Sequence, residues 1–338
     1  MFQSGCGHNS RLADTAACGD HRGRISKPDE TALQLTPMSP VGGVVVTGVD
    51  IRQAAEDQIR EQLNTALTTH GVLLFRDQPL TASELAAFGK VFGPIQPHVQ
   101  RKYQHPEVPE VVVMTNRKPD GSFDEAGARR GAMESLSEGW HSDLSYDPVP
   151  AKATLLHATD IPSSGGNTCF SNVNRAYEEL DASLKLELNG LFAEFPYSGH
   201  KRNAKAAIAA STLQQADVGA VNPVINAHAV SGKPGIYVNP LLTSHIVGVS
   251  AERSEELLRA LFAAMNKPRY QWEHEWRLGD TLIWDNRGGL MHCGRLDYPR
   301  DEARRFIRTT VSGSSLTPYH YQQASLSTSV VNMGTDKQ

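Results

Sequence analysis

The feature that most limits the fold of this chain is its supply of short β-type segments, each fenced by turn chemistry. Val72 to Phe75, Val111 to Met114, Lys152 to Ala158, Thr168 to Ser171, Thr281 to Trp284, Leu290 to Cys293 and Arg304 to Val311 are all short apolar or alternating runs. Runs of that length and composition read as strands. Pro162-Ser163-Ser164-Gly165-Gly166 separates two of them with a stretch that cannot continue a strand. Helical spacing is confined to a few places. Ile51 to Thr69 carries Ile59, Leu63, Ala66 and Leu67 on one face and stops at Gly71. Thr81 with Glu84 has the capping-box spacing and opens a helix expected to end near Gly93. Ser250 to Met265 is amphipathic, with Leu257, Leu258, Leu261 and Phe262 on one side. Parallel strand–helix alternation is absent from this pattern. A β-sandwich or barrel with helices packed outside is expected.

Polar tails frame that core. Residues 1–36 read as a disordered or loosely held extension and 317–338 as a C-terminal tail, leaving 37–316 as one domain. A chain of 338 residues with 39% hydrophobic and 21% charged residues can bury a sizeable core. A formal charge of −4 with scattered basic residues argues against a nucleic-acid partner. No run approaches the roughly 18 apolar residues of a membrane span, and Met1 to Arg24 lacks a signal-peptide core. A cytoplasmic protein without a membrane partner is expected. The four cysteines, Cys6, Cys18, Cys169 and Cys293, form no CxxC pair. Cys6 and Cys18 near His8 and His21 could hold zinc, but a loose polar tail with incidental Cys and His is the preferred explanation.

Trp140-His141-Ser142-Asp143 holds an HxD pair. On a strand, positions i and i+2 share a face, so both side chains could reach one metal. His292, in a second expected strand, is the natural third ligand. Two His and one carboxylate on one face leave three octahedral positions free, the facial triad of Fe(II) oxygenases. From spacing alone, satisfied core or surface residues compete with that view. His105-Pro106-Glu107 is a decoy of the same type in a Pro-rich loop. Arg304 to Val311 adds a second signal, since Arg304, Phe306 and Arg308 share one face of a strand while Arg305 and Ile307 take the other. Inward arginines need buried anions, and 2-oxoglutarate with a substrate could be those anions. An edge strand decorated with charge is the competing explanation.

Several motifs occur in a recognisable order: Gly48-Val49-Asp50, Gly71 to Gln78, the HxD segment, Pro162 to Thr168, Tyr237-Val238-Asn239, Gly279-Asp280 and Trp284-Asp285-Asn286-Arg287 leading to His292. From about Ser39 to Gly313 the chain resembles the taurine dioxygenase family of Fe(II)/2-oxoglutarate-dependent oxygenases. The segments from Thr115 to Glu138 and Arg202 to Gly219 depart from it. The resemblance implies a mainly β fold with flanking helices around a double-stranded β-helix (jelly-roll) core. It implies iron ligands at His141, Asp143 and His292, and Thr168 and Arg304 on the far carboxylate of 2-oxoglutarate. Arg308 would lie nearer the iron, facing the substrate or the cosubstrate's 1-carboxylate. The spacing from His292 leaves Arg304 and Arg305 both open, with strand parity favouring Arg304. His98 is either a pocket residue or only a loop histidine; His157 reads better as a satisfied core histidine. Trp284, Asp285 and Arg287 would fix the His292 strand.

The resemblance further implies a dioxygenase that takes Fe(II), 2-oxoglutarate and O2, oxidises a C–H bond of a small anionic substrate and releases succinate and CO2. Asp143 favours hydroxylation, or a variant such as desaturation or C–heteroatom cleavage, over halogenation, because related halogenases lack this carboxylate. A homo-oligomer, dimer or tetramer, is implied by the relatives. The competing functions are a metal-binding jelly roll that hydrolyses or isomerises without O2, and a non-catalytic binding protein. Arg117, Arg129 and Arg130 lie in the departing segment and fit an acidic substrate.

Overall fold

The computed structural model describes residues 33–97, 101–196 and 219–322. Two sheets form its centre. The larger has seven strands in the spatial order Gln34–Ser39, Gly42–Thr47, Val72–Phe75, Thr281–Asp285, Ala153–Asp160, Arg305–Val311 and Val112–Thr115. The smaller runs Gln271–His274, Thr168–Asn172, Leu290–Arg295 and Ala132–Met133. Two three-stranded sheets complete the set: Pro234–Ile236, Ile225–Ala227 and Thr317–Pro318; and His245–Ile246, Phe192–Phe195 and Ala220–Pro223.

Pairing is antiparallel except between Gly42–Thr47 and Val72–Phe75, and between Leu290–Arg295 and Ala132–Met133. The first exception corrects the expected absence of strand–helix alternation. Helix Asp57–His70 links those two parallel strands, which a short turn could not join.

Period-two alternation explains why the strands read as continuous apolar runs. Leu73, Phe75, Leu155, Ile283 and Ile307 point to one face of the large sheet. There they pack with Leu63 and Leu67 of helix Asp57–His70 and with Leu85 and Phe88 of helix Ala82–Gly89. Val72, Leu74, Leu156, Leu282, Trp284 and Phe306 point the other way and meet Phe170 and Leu290 of the small sheet. Behind the small sheet, Cys169, Met291 and Cys293 pack with Leu257, Leu258 and Leu261 of helix Ala251–Met265. With both faces covered, strands carry apolar residues at every position. Leu73, Leu74 and Phe75 are completely buried, and each such side chain stabilises by about 1.5–3 kcal/mol. Two facing, mainly antiparallel sheets with helices outside are the expected jelly roll.

All seven expected strands are present, with ends displaced by no more than two residues. Helix boundaries differ more. Ile51–Gln53 is a separate 3-10 turn, because the Asp50 carboxylate accepts the Arg52 N–H at 3.0 Å, and the α-helix begins only at Asp57. It stops at Gly71 (φ 75°), where a Cβ would come 2.7 Å from Leu290. The capping box is formed: Thr81 N–H donates to Glu84 at 2.8 Å, and Glu84 N–H to the Thr81 hydroxyl oxygen at 3.3 Å. That helix ends at Gly89 rather than Gly93, since the Val91 and Phe92 N–H groups turn back to Phe88 and Gly89 carbonyls.

The first strand starts inside the stretch read as an extension, as Gln34 and Leu35 pair with Thr47 and Val46. Thr317 and Pro318 likewise pair with Ala227 and Asn226. The cysteines and histidines of the first 32 residues lie outside the described residues. No helix among the described residues is long and apolar enough to cross a membrane.

Candidate active site

A cavity of about 180 Å³ lies against the inter-sheet core and shares Leu156, Trp284 and Phe306 with it. His292 enters from the Leu290–Arg295 strand, where it is paired with Phe170. His141 meets it through an isolated bridge. The His141 N–H donates to the His292 carbonyl at 3.1 Å, and the His292 N–H returns the bond at 3.0 Å. The expectation that His141 and Asp143 share a regular strand is corrected here. After helix Leu136–Gly139 the chain makes that one bridge and then turns, with Leu144 at φ 56°. Asn286 takes over the positioning. It accepts the Asp143 N–H at 3.3 Å on its side-chain oxygen and the Ser142 hydroxyl at 2.9 Å on its carbonyl. Ser142 therefore points away from the cavity, and one ligand atom each from His141, Asp143 and His292 lies within 4.8 Å of the others.

The His141 ring is oriented by its Nδ1, which donates to the Gly139 carbonyl at 2.8 Å and leaves Nε2 free. Burial lowers the His141 pKa and pushes that of His292 down to about 3, the neighbouring His141 contributing. Both imidazoles are therefore neutral at pH 7. Burial opposes ionisation of Asp143, but Arg308, His292, His141 and a hydrogen bond from Thr154 outweigh it and hold the carboxyl below its usual range. Arg308 Nη2 lies 2.9 Å from Asp143 Oδ1, and the Thr154 hydroxyl donates to Oδ2 at 2.6 Å. Asn286 in turn donates to the Thr154 oxygen at 3.0 Å. Two neutral imidazoles and one carboxylate, with no thiol, form a donor set that suits Fe(II) with positions left over.

Thr168 and Arg304 line the same cavity. The Trp276 indole N–H donates to the Thr168 oxygen at 3.0 Å, which leaves the Thr168 proton free for another acceptor. Arg304 Nε and Nη2 donate to the Gly166 carbonyl at 3.0 and 2.8 Å, and its guanidinium carbon lies 4.5 Å from the Phe306 ring centroid. Burial lowers its pKa to about 10, so it stays charged. Gly166 has φ 68°, and a Cβ there would sit 2.9 Å from Arg304 Nε. Asn116 holds the Arg304 backbone through its N–H (2.9 Å) and carbonyl (3.2 Å). Arg305 is exposed. The pairing skips Thr159 at this point, with Arg305 opposite Asp160 and Phe306 opposite Ala158, and Arg304, Phe306 and Arg308 all face the cavity.

His98 lies outside the described residues. His157 is a satisfied core histidine: its Nε2 accepts the Leu80 N–H at 3.1 Å and its Nδ1 lies 2.8 Å from the Thr281 hydroxyl. Cys293 is buried away from the cavity, its thiol pKa raised to about 12 by burial. Trp284 packs against the His292 ring at 4.7 Å, whereas Asp285 engages Arg287 and His228. Sequence reasoning missed Trp276, Thr154 and Asn116, which carry no motif of their own. It quoted Asn286 without giving it a role, although its place in the motif before His292 was the available signal.

The family model of taurine catabolism dioxygenases, the TauD/TfdA family, matches residues 34–310. The chain belongs to that family. It is 30% identical over 276 residues to the alpha-ketoglutarate-dependent 2,4-dichlorophenoxyacetate dioxygenase of Cupriavidus pinatubonensis, spanning 80% of this chain and 94% of that one. It is 29% identical over 294 residues to a pentalenolactone F synthase of Streptomyces arenae, spanning 83% and 95%. Among solved structures, a taurine dioxygenase from Burkholderia xenovorans aligns with a TM-score of 0.69 at 26% identity, covering 85% of this chain and 91% of that one. This protein is thus a 2-oxoglutarate-dependent dioxygenase, alpha-ketoglutarate being the same compound, and its chemistry uses Fe(II), 2-oxoglutarate and O2.

Proposed function

We propose that His141, Asp143 and His292 hold the iron, that Thr168 and Arg304 seat the far carboxylate of 2-oxoglutarate, and that the substrate is a small organic anion whose C–H bond is hydroxylated. The observation that supports this best is the convergence of these five residues and Arg308 on one cavity. When bound, the iron would activate O2, one oxygen atom going to succinate as 2-oxoglutarate loses CO2 and the other to the substrate.

The residues themselves supply orientation and charge. Gly139 fixes the His141 ring, and Thr154 and Asn286 fix the Asp143 carboxylate. Trp276 turns the Thr168 hydroxyl into a donor for a carboxylate. Arg304, steered by Gly166, presents its remaining N–H groups. Arg308 stabilises the ionised Asp143 and keeps a buried Nε without a hydrogen-bond partner, which suits the 1-carboxylate of the cosubstrate.

An anionic substrate is favoured by charge. Arg130, Arg304 and Arg308 line the cavity with Asp143 as the only carboxylate among its described lining residues. Adding a divalent metal and the cosubstrate dianion leaves about two positive charges unmatched, and buried unpaired charge is costly. Relatives named for sulfonates, alkyl sulfates and phenoxypropionates also take anions. Residues 34–318 would form the catalytic domain of a cytoplasmic homo-oligomer. Substrate-dependent succinate release over a panel of carboxylates, sulfonates and sulfates, each with its neutral counterpart, tests the proposal. Turnover of the neutral counterparts alone would overturn the anionic part.

A further inference from the structure

Arg304 and Arg308 have evident tasks; the third arginine of the cavity does not. Arg130 lies in the segment that departs from the family motifs, just after the short helix Glu125–Ala128. Its Nη2 donates to the Val113 carbonyl at 3.1 Å, its guanidinium carbon lies 4.0 Å from the Tyr103 ring centroid, and its Nε is buried without a hydrogen-bond partner. The described residues give it no ion pair, unlike Arg129 beside it, which is held by Glu125 and Glu134. Burial lowers its pKa, Tyr103 and Asp124 work against that, and the charge of Arg308 adds to the lowering.

The chain then steps directly to the metal side. Gly131, at φ 69°, lies so near His141 that a Cβ would stand 3.6 Å from the free Nε2. The Gly294 N–H donates to the Gly131 carbonyl at 2.9 Å, which ties this segment to the strand that carries His292. Arg130 is therefore anchored one residue from the proposed coordination face, on backbone fixed to the ligand strand. Leu144, Leu241 and Leu242 line the same cavity and supply an apolar surface.

We infer that Arg130 receives the anionic group of the substrate, while Leu144, Leu241 and Leu242 hold an apolar body. The substrate class is then an amphiphilic anion, a carboxylate or sulfonate on a hydrocarbon or aromatic frame. Arg308 is the weaker candidate because its charge is already paired with Asp143 Oδ1 at 2.9 Å, whereas Arg130 Nη2 meets only the neutral Val113 carbonyl. Turning it towards substrate would release the carboxylate it steadies. The Tyr103 ring, by contrast, supports the flat face of Arg130, whose Nε has no hydrogen-bond partner. This inference rests on the anionic-substrate proposal above.

The test uses the full chain loaded with Fe(II) and 2-oxoglutarate without oxygen. Calorimetry measures phenoxyacetate, phenylmethanesulfonate and the neutral phenoxyethanol. The wild type is expected to bind the anions at least about tenfold tighter than the alcohol, and R130Q to erase most of that preference. R130K should keep part of it, and the half-saturation of 2-oxoglutarate should move less than about twofold in either variant. A preference retained in R130Q overturns the role of Arg130 and leaves the anionic proposal standing. Equal loss of 2-oxoglutarate binding in R130Q also overturns it, since Arg130 would then be a structural support. A wild type that binds neither anion, or anions and alcohol alike, overturns the anionic proposal and this inference with it.

Discussion

Replacing Arg304 with Met separates the two arginines that the sequence leaves open. Arg304 spends Nε and Nη2 on the Gly166 carbonyl, so its outer N–H groups remain for a carboxylate. One strong charge-assisted hydrogen bond contributes about 1.5–3 kcal/mol. Met keeps the length and the packing on Phe306 but removes the donors and the charge. The expected loss is about 2–3 kcal/mol in 2-oxoglutarate binding, a weakening of ~30–150-fold. Anaerobic titration of the visible charge-transfer band of the Fe(II)–2-oxoglutarate complex reads this directly. Arg305→Met, at an exposed position, should change the same half-saturation less than about twofold. The reasoning is refuted if Arg304→Met stays within about threefold of wild type, or if Arg305→Met gives the larger loss.

Trp276→Phe removes the indole donor to Thr168 and frees that hydroxyl to rotate. We expect 2-oxoglutarate to bind about 3–10-fold more weakly, with Fe(II) affinity unchanged in a competition assay against a metal indicator. Gly166→Ala forces a side chain into left-handed backbone and against Arg304 Nε. It should cost about 1–2 kcal/mol in urea-derived stability and weaken 2-oxoglutarate as well. His157 gives a pH dependence. Burial pushes its pKa down to about 4, so the unfolded chain binds more protons between that value and the ordinary imidazole value. Stability is then full above the ordinary value and falls on acidification through this window, by up to about 1.4 kcal/mol per pH unit. In His157→Gln the urea midpoint should depend less steeply on pH there; an unchanged slope contradicts the assignment.

Much of the fold was legible because strands covered on both faces leave apolar runs that turn residues punctuate. Val72 to Phe75 and Thr281 to Trp284 needed nothing more. What failed was local. Asp50 captures the Arg52 N–H and splits an expected helix, and no periodicity records that bond. The HxD pair suggested a strand, whereas Asn286, far along the chain, provides the backbone and side-chain bonds that aim Asp143. Strand parity sufficed to turn Arg304 and Arg308 inward even across the irregular pairing at Thr159. The aid that Trp276 gives Thr168 was invisible, because it depends on a contact between residues 108 positions apart. Arg130 could be noted as a charge in a departing segment, but its lack of an ion pair emerged only with Tyr103 and Val113 in place.

The central claim is that His141, Asp143 and His292 together hold an iron that 2-oxoglutarate chelates in this cavity. Its most direct test is to add Fe(II) and then 2-oxoglutarate to the metal-free chain without air and record the visible spectrum. A charge-transfer band that saturates at one iron per chain, and that is abolished in His141→Ala and in His292→Ala variants that remain folded, is the predicted result. A folded wild-type chain that binds Fe(II) and shows no band on adding 2-oxoglutarate, or a band that survives both substitutions, would contradict it.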